Sequence, residues 1–236
     1  MRSLHWWRTV FYLIPAVALY TIVLGSISLV STLFDRTGNV AHGCARTWAR
    51  WILRTTGVRV HTTGLEQLEP GRSYVFAANH QSIYDIPILF ASVPFQLRIV
   101  AKDSLGRIPF MGWHLRRAGH LLVDRRRPGA DIVQKMRRLV GESSSLIVFP
   151  EGTRSVDGTV GRFKKGTFLV ATNAGLPVVP VSISGSRHIM RKGRLMVCPG
   201  EVELVVHAPI PTEGIDRHDV RTFASRVNDV VRSDAR

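Results

Sequence analysis

The chain has 236 residues, 45% of them hydrophobic, and its 32 Lys and Arg outnumber 17 Asp and Glu to give a formal net charge of +15. This length holds one α/β domain plus a short appendage, and the apolar share excludes a mostly disordered chain. Two cysteines, Cys44 and Cys198, exclude a disulfide framework and a cysteine-built zinc cluster. The excess charge calls for polyanions, whether nucleic acid, an anionic membrane surface or a phosphorylated small molecule, and does not choose among them.

Residues 10–34 form an uncharged, largely apolar run of 25 residues, preceded by Arg2 and Arg8 and closed by Asp35 and Arg36. As a helix it would be about 37 Å long, enough to cross a hydrocarbon core of about 30 Å. Trp6, Trp7 and Tyr12 suit the interface as anchors. A signal peptide competes with this reading, but the run is long for one and no small-x-small cleavage site follows. A second helix is expected over residues 40–56. There Arg46, Arg50 and Arg54 form a stripe, and Ala41, Cys44, Trp48, Trp51 and Ile52 are expected on the opposite side. That pattern suits a helix lying on an anionic membrane, although an ordinary amphipathic helix packed on a core would share it. The greater arginine content after the apolar run places the main domain on the cytoplasmic side of a cell membrane or other inner membrane. Residues 1–56 are thus expected as membrane-anchoring helices and residues 57–236 as the α/β domain.

After Gly57 the apolar pattern shortens to strand-like runs at 58–60, 74–78, 97–101, 121–123, 146–149, 178–183 and 202–206. Helix-like stretches fall between several of them, at 83–91, 129–141, 165–174 and 219–232. Such alternation predicts an α/β fold: a mixed, largely parallel sheet flanked by helices, with the N-terminal membrane-associated helical segment attached. Ligands in such folds sit beyond the carboxyl ends of strands.

Two polar clusters lie at such ends. Asn79-His80-Gln81-Ser82-Ile83-Tyr84-Asp85 follows the run 74–78. An imidazole titrates near neutrality, which suits a general base, and a carboxylate beside it holds the tautomer and stabilises the imidazolium. Ideal helical spacing would put positions 80 and 85 about 140° apart. Pairing therefore requires His80 in the turn before a helix and Asp85 in its first turns. Alone, the spacing is weak: Asn79 or Ser82 as a helix cap, with Asp85 complementing the dipole, explains it better. The second cluster, Phe149-Pro150-Glu151-Gly152-Thr153-Arg154-Ser155, follows the run 146–149. Gly152 permits a tight turn, Arg154 offers a planar fork for a phosphate, and Glu151 suits the positioning of Arg154 or other loop groups. Lys102 ends another strand-like run, where an ammonium can meet a phosphate. Arg125, Arg126 and Arg127 read mainly as a solvated charge run, with Arg125 a candidate phosphate or membrane contact.

These blocks, in this order, resemble the glycerolipid acyltransferase family of the 1-acylglycerol-3-phosphate acyltransferase type. Asn79-His80 through Asp85 matches its N-H-x4-D block, and residues 102–112 resemble K-x-x-L-x-x-I-P-x-x-G. Residues 149–154 are F-P-E-G-T-R, and Val178-Val179-Pro180-Val181 resembles the fourth block. The resemblance spans roughly residues 57–211. It implies His80 as base with Asp85 as partner, and an acceptor site drawn from Lys102, Glu151, Gly152, Thr153 and Arg154. It also implies an acyl tunnel, a lysophospholipid acceptor, and an acyl thioester donor carried by CoA or acyl carrier protein, with no metal or redox cofactor. Relatives with these blocks also use other lysolipid and sugar-lipid acceptors.

Rival readings lack their motifs. No G-x-S-x-G elbow makes Ser82 a nucleophile, and no G-x-G-x-x-G fingerprint appears. Gly161-Arg162-Phe163-Lys164-Lys165-Gly166-Thr167 lacks the lysine that a P-loop places after its second glycine. A membrane-tethered nucleic-acid-binding protein fits the charge alone. With no binding motif and no stacking aromatics interleaved with the basic residues, no nucleic-acid partner is expected.

Overall fold

The computed structural model describes residues 2–35, 37–108, 111–123, 144–216 and 218–235. Arg125 and the helix expected over 129–141 lie outside these described residues. The chain opens with α1 (Arg2–Arg8), a π-helical turn (Thr9–Leu13) and α2 (Ile14–Ser31). Together they give a helical stretch, Leu4–Ser31, of 28 residues and mean hydropathy 2.2, long and apolar enough to cross a membrane. Only 11% of its most apolar window is buried against the rest of the protein, so its apolar surface is not that of a core helix.

α3 (Asn39–Thr56) returns against α2. The Asp35 carboxylate starts it by accepting the main-chain N–H groups of Thr37, Gly38 and Val40 at 2.9, 3.1 and 2.7 Å. The Thr37 hydroxyl and these N–H groups hold its carboxyl below the ordinary range. The hairpin is pinned by Trp48 Nε1 donating to Thr21 Oγ1 at 3.0 Å and by Tyr20 and Thr55 hydroxyls 3.1 Å apart. Ala41, Ala49, Ile52 and Leu53 form its buried face. Trp51, expected on that face, is instead 43% exposed, with its ring edge against Tyr20. At 100° per residue it lies about 200° from Ala49 and only about 60° from Arg54, so it belongs beside the arginine stripe.

Among the described residues seven strands form the sheet: β1 (Val58–Thr63), β2 (Val75–Ala78), β3 (Gln96–Lys102), β4 (Leu121–Val123), β5 (Ser144–Val148), β6 (Val178–Ser184) and β7 (Gly200–Val206). Their order is β1-β7-β6-β2-β5-β3-β4, and every neighbouring pair is parallel except β6 with β7. The sheet is mixed and largely parallel, as the alternation of elements predicts. β2, β5 and β6 are buried along their whole length, which is why they read as continuous apolar runs rather than alternating ones.

Helices cover both faces. α3 and α4 (Asp85–Ser92) bury Ile52, Leu53, Ile88 and Leu89 on one face. Residues Lys165–Ala174 (α6) and Val220–Asp234 (α8) bury Phe168, Phe223 and Val227 on the other. Between them lie α5 (Met111–Arg117) and the one-turn α7 (Ser186–Ile189), neither of which the sequence pattern singles out. Leu13, Ala49 and Ile52 share one core with Tyr74, Phe76 and Val181, so the N-terminal helices and the sheet are packed as a unit. From β2 the chain leaves over the α4 face toward β3. From β5 it leaves over the α6 face toward β6, on the other side of β2. The carboxyl ends of β2 and β5 therefore form a topological switch point, where an α/β sheet opens a crevice.

Candidate active site

Both polar clusters emerge at that switch point. α4 begins at Asp85, and His80 sits in the turn before it, as the pairing of the two requires. His80 Nδ1 is 2.7 Å from Asp85 Oδ2. The same oxygen accepts the main-chain N–H groups of Gln81 and Ser82 at 2.8 and 2.9 Å. Three donors converge on one fully buried oxygen, so the turn is wound around the carboxylate. Asp85 Oδ1 is buried with no hydrogen-bond partner among the described residues. A carboxylate acceptor at Nδ1 fixes the proton there and leaves Nε2 as the unprotonated nitrogen. The ring stacks on Phe149 at 4.0 Å and 20°, and its side chain keeps 16% exposure.

The cap reading of the first cluster fares differently. Asn79 caps nothing: its amide donates to and accepts from the main chain of Ile183 at 2.8 Å each, binding the end of β2 to β6. Ser82 Oγ donates to the Met190 carbonyl at 2.8 Å and accepts a longer bond from Tyr84 N–H at 3.3 Å.

The second cluster hooks onto the first. The Glu151 carboxylate accepts the main-chain N–H of His80 at 2.9 Å through one oxygen and that of Gly161 at 3.2 Å through the other. Burial pushes its carboxyl above the ordinary range, partly offset by those two N–H donors. A Cβ on Gly161 would come within 2.9 Å of Glu151 Oε2, so the first glycine of the P-loop-like string serves this contact. Ser155 N–H donates to the His80 carbonyl at 2.7 Å. Gly152 turns the chain at φ +79°, leaving Thr153 exposed and Arg154 partly exposed above the switch point. Lys102 is the last residue of β3.

Some partners carry no signal in the sequence motifs. Lys192 Nζ donates to Thr153 Oγ1 at 3.1 Å and to the Arg154 carbonyl at 2.9 Å. Gln81 Nε2 reaches the Gly158 carbonyl at 2.9 Å. A second Ser–His contact exists at Ser182 Oγ and His207 Nε2, 2.8 Å apart. It is no nucleophile pair: Ser182 is fully buried, and the nearby Asp234 carboxylate, 3.9 Å away, faces the same ring nitrogen as the serine.

The structure thus brings together, at the carboxyl ends of two neighbouring parallel strands, a histidine–carboxylate pair and a glycine turn that carries an arginine. Residues 59–184 match the family model described as Acyltransferase, so the chain belongs to the acyltransferase family, of the 1-acylglycerol-3-phosphate type. It is 39% identical over 168 residues to a 1-acyl-sn-glycerol-3-phosphate acyltransferase of Chlamydomonas reinhardtii, covering 68% of this chain and 50% of that one. It is 31% identical over 207 residues to the Saccharomyces cerevisiae 1-acyl-sn-glycerol-3-phosphate acyltransferase, covering 86% and 68%. The chain spans about half the length of the algal and chloroplast relatives it matches. The crystal structure of the 1-acyl-sn-glycerophosphate (LPA) acyltransferase PlsC from Thermotoga maritima superposes with a TM-score of 0.84 at 29% identity. That match covers 99% of this chain and 95% of the other.

Proposed function

We propose that this protein is a membrane-attached O-acyltransferase. It moves a fatty acyl group from acyl-CoA or acyl carrier protein to the free sn-2 hydroxyl of 1-acylglycerol-3-phosphate, giving phosphatidate. The observation that carries the reading is the 2.7 Å His80–Asp85 pair at the carboxyl end of β2, with the Glu151–Ser155 turn bonded to His80's own main chain. His80 Nε2 takes the proton of the acceptor hydroxyl as that oxygen attacks the thioester carbonyl. Asp85 stabilises the imidazolium. The tetrahedral intermediate collapses with cleavage of the C–S bond, and the thiolate leaves readily because thiols are fairly acidic. The imidazolium then gives up its proton to the released thiolate, and His80 is neutral again.

Arg154 and Lys102 hold the acceptor phosphate, and Thr153 and Gly152 shape the turn around it. Glu151, spent on two main-chain donors, acts by holding His80's turn. Arg125 is kept as a contact for phosphate or membrane. Residues 1–56 anchor the enzyme, with the arginines of α3 toward anionic headgroups and residues 57–236 facing the cytoplasm. The relatives named for 1-acyl-sn-glycerol-3-phosphate support this acceptor over other lysolipids.

The test is thiol release by the purified full chain with lysophosphatidate, lysophosphatidylcholine, monoacylglycerol and a lysoglycolipid, each with acyl-CoA and acyl carrier protein donors. Lysophosphatidate should give the highest kcat/KM. Turnover confined to another acceptor would replace the substrate, and no acyl transfer with any pair would sink the reading.

A further inference from the structure

The segment after β6 crosses both halves of the candidate site. Ser82 Oγ, in the His80 turn, donates to the Met190 carbonyl at 2.8 Å. Arg187 Nη2 donates to the Val156 carbonyl at 2.8 Å, and Lys192 Nζ to Thr153 Oγ1 and the Arg154 carbonyl. The far side of the bracket is tied down by Cys198 N–H donating to the Ile189 carbonyl at 2.9 Å. Lys192 rides the tip of a tight turn, closed by Arg194 N–H to the Arg191 carbonyl at 3.1 Å, with Gly193 at φ +77°. Arg191, Lys192 and Arg194 are all exposed, and no acidic residue lies between positions 158 and 200 of the chain.

Three consequences follow for the Thr153–Arg154 turn. A lysine ammonium has three N–H donors, and two are placed on this turn. They fix the backbone from which the Arg154 side chain departs. With its oxygen accepting from an ammonium, the Thr153 hydroxyl is left to donate its own proton. The ammonium also adds positive charge within one residue of Ser155, whose N–H is bonded to the His80 carbonyl.

We propose that Lys192 is a specificity-determining positioning residue: it holds the Thr153–Arg154 turn and favours acceptors that carry a phosphomonoester. This rests on the reading of Arg154 as the acceptor-phosphate contact. A phosphomonoester carries more negative charge than the phosphodiester of a choline lysolipid, and monoacylglycerol carries none. Loss of Lys192 therefore weakens binding in that order. Neither donor binding nor proton transfer at His80 requires it.

The experiment is steady-state kinetics on the full chain with Lys192→Met, Lys192→Arg and Arg154→Ala, donor held saturating, and lysophosphatidate and monoacylglycerol as acceptors. Lys192→Met should raise the lysophosphatidate KM about tenfold with kcat within about twofold, the size of one charged hydrogen bond. It should leave kcat/KM for monoacylglycerol and the melting temperature unchanged. Lys192→Arg should restore most of the affinity. An unchanged lysophosphatidate KM, or an equal loss with monoacylglycerol, overturns the proposal. Arg154→Ala in parallel separates the two readings: loss of phosphate preference there but not in Lys192→Met defeats the role of Lys192 alone. The reverse pattern defeats the assignment of Arg154. Equilibrium binding of lysophosphatidate without donor, wild type against Lys192→Met, reads the same contact independently of turnover, and equal affinities would overturn it.

Discussion

His80 and the pair His42 and His120 are all fixed through Nδ1, but the bonds run in opposite senses. His80 Nδ1 faces the Asp85 carboxylate at 2.7 Å and donates. His42 and His120 sit at the β3 edge, where β4 pairs only with Val100–Lys102. There their Nδ1 atoms accept the main-chain N–H groups of Leu97 and Ile99 at 3.4 and 3.1 Å. Those two N–H groups point past the end of β4, and the imidazoles finish a ladder that the short strand leaves incomplete. Burial, helped by the charge of Arg98 beside them, drives His42 from its ordinary 6.5 to about 4 and His120 to about 3. One side chain type thus donates from Nδ1 to a carboxylate in one place and accepts at Nδ1 from the main chain, beside a guanidinium, in another. The partner, not the residue, decides which.

The sharpest break of this contrast is His80→Ala. Transfer should fall about 10²–10⁴-fold in a chain that still folds, because two main-chain donors to the Asp85 carboxylate remain when the ring is removed. Near-normal kcat in the folded variant would remove His80 as the base. Next, Arg154→Ala should raise the lysophosphatidate KM about 10–100-fold, and Arg154→Lys should recover little, because an ammonium lacks the bidentate fork. A recovery to wild-type KM with lysine would show that only charge matters there. Glu151→Gln keeps one acceptor for its two main-chain donors, so kcat should drop about tenfold through a looser His80 turn. A change in KM alone would place Glu151 at the acceptor instead.

The smallest effect concerns the structural histidines. Their folded values lie below the ordinary value, so the unfolded chain binds more protons than the folded one between about pH 6.5 and 4 at His42 and between about pH 6.5 and 3 at His120. Their stability contribution is complete above pH 6.5 and is lost as pH falls through those windows. At pH 5 each should cost about 1 kcal/mol after solvent screening, or about 2–4 °C in melting temperature. The double variant His42→Asn, His120→Asn retains a side-chain acceptor without a titration, and its melting temperature should vary less between pH 7 and 5. A wild-type melting temperature flat over that range would overturn the account of the β3 edge.

Local information was enough for much of the chain. The helix Lys165–Ala174 and the strand Leu121–Val123 agree with their apolar patterns to the residue, because period and end signals are contained within each segment. The demand that His80 precede the helix begun by Asp85 also came from spacing alone, since helical geometry forbids the alternative. The buried sheet strands read clearly as apolar runs for the same reason, but their order and the antiparallel β6–β7 junction did not, because periodicity says nothing about neighbours. Trp51 was misplaced against the helical spacing itself, which already sets it about 60° from Arg54. His42 and His120 looked like any other histidines until β4 proved too short to cover β3. Lys192 lies 39 residues from Thr153, and no pattern marks it. Spacing and period fix what lies within a helix or a turn, whereas contacts across the sheet depend on where whole elements come to rest, and that is set by burying both faces of the sheet at once.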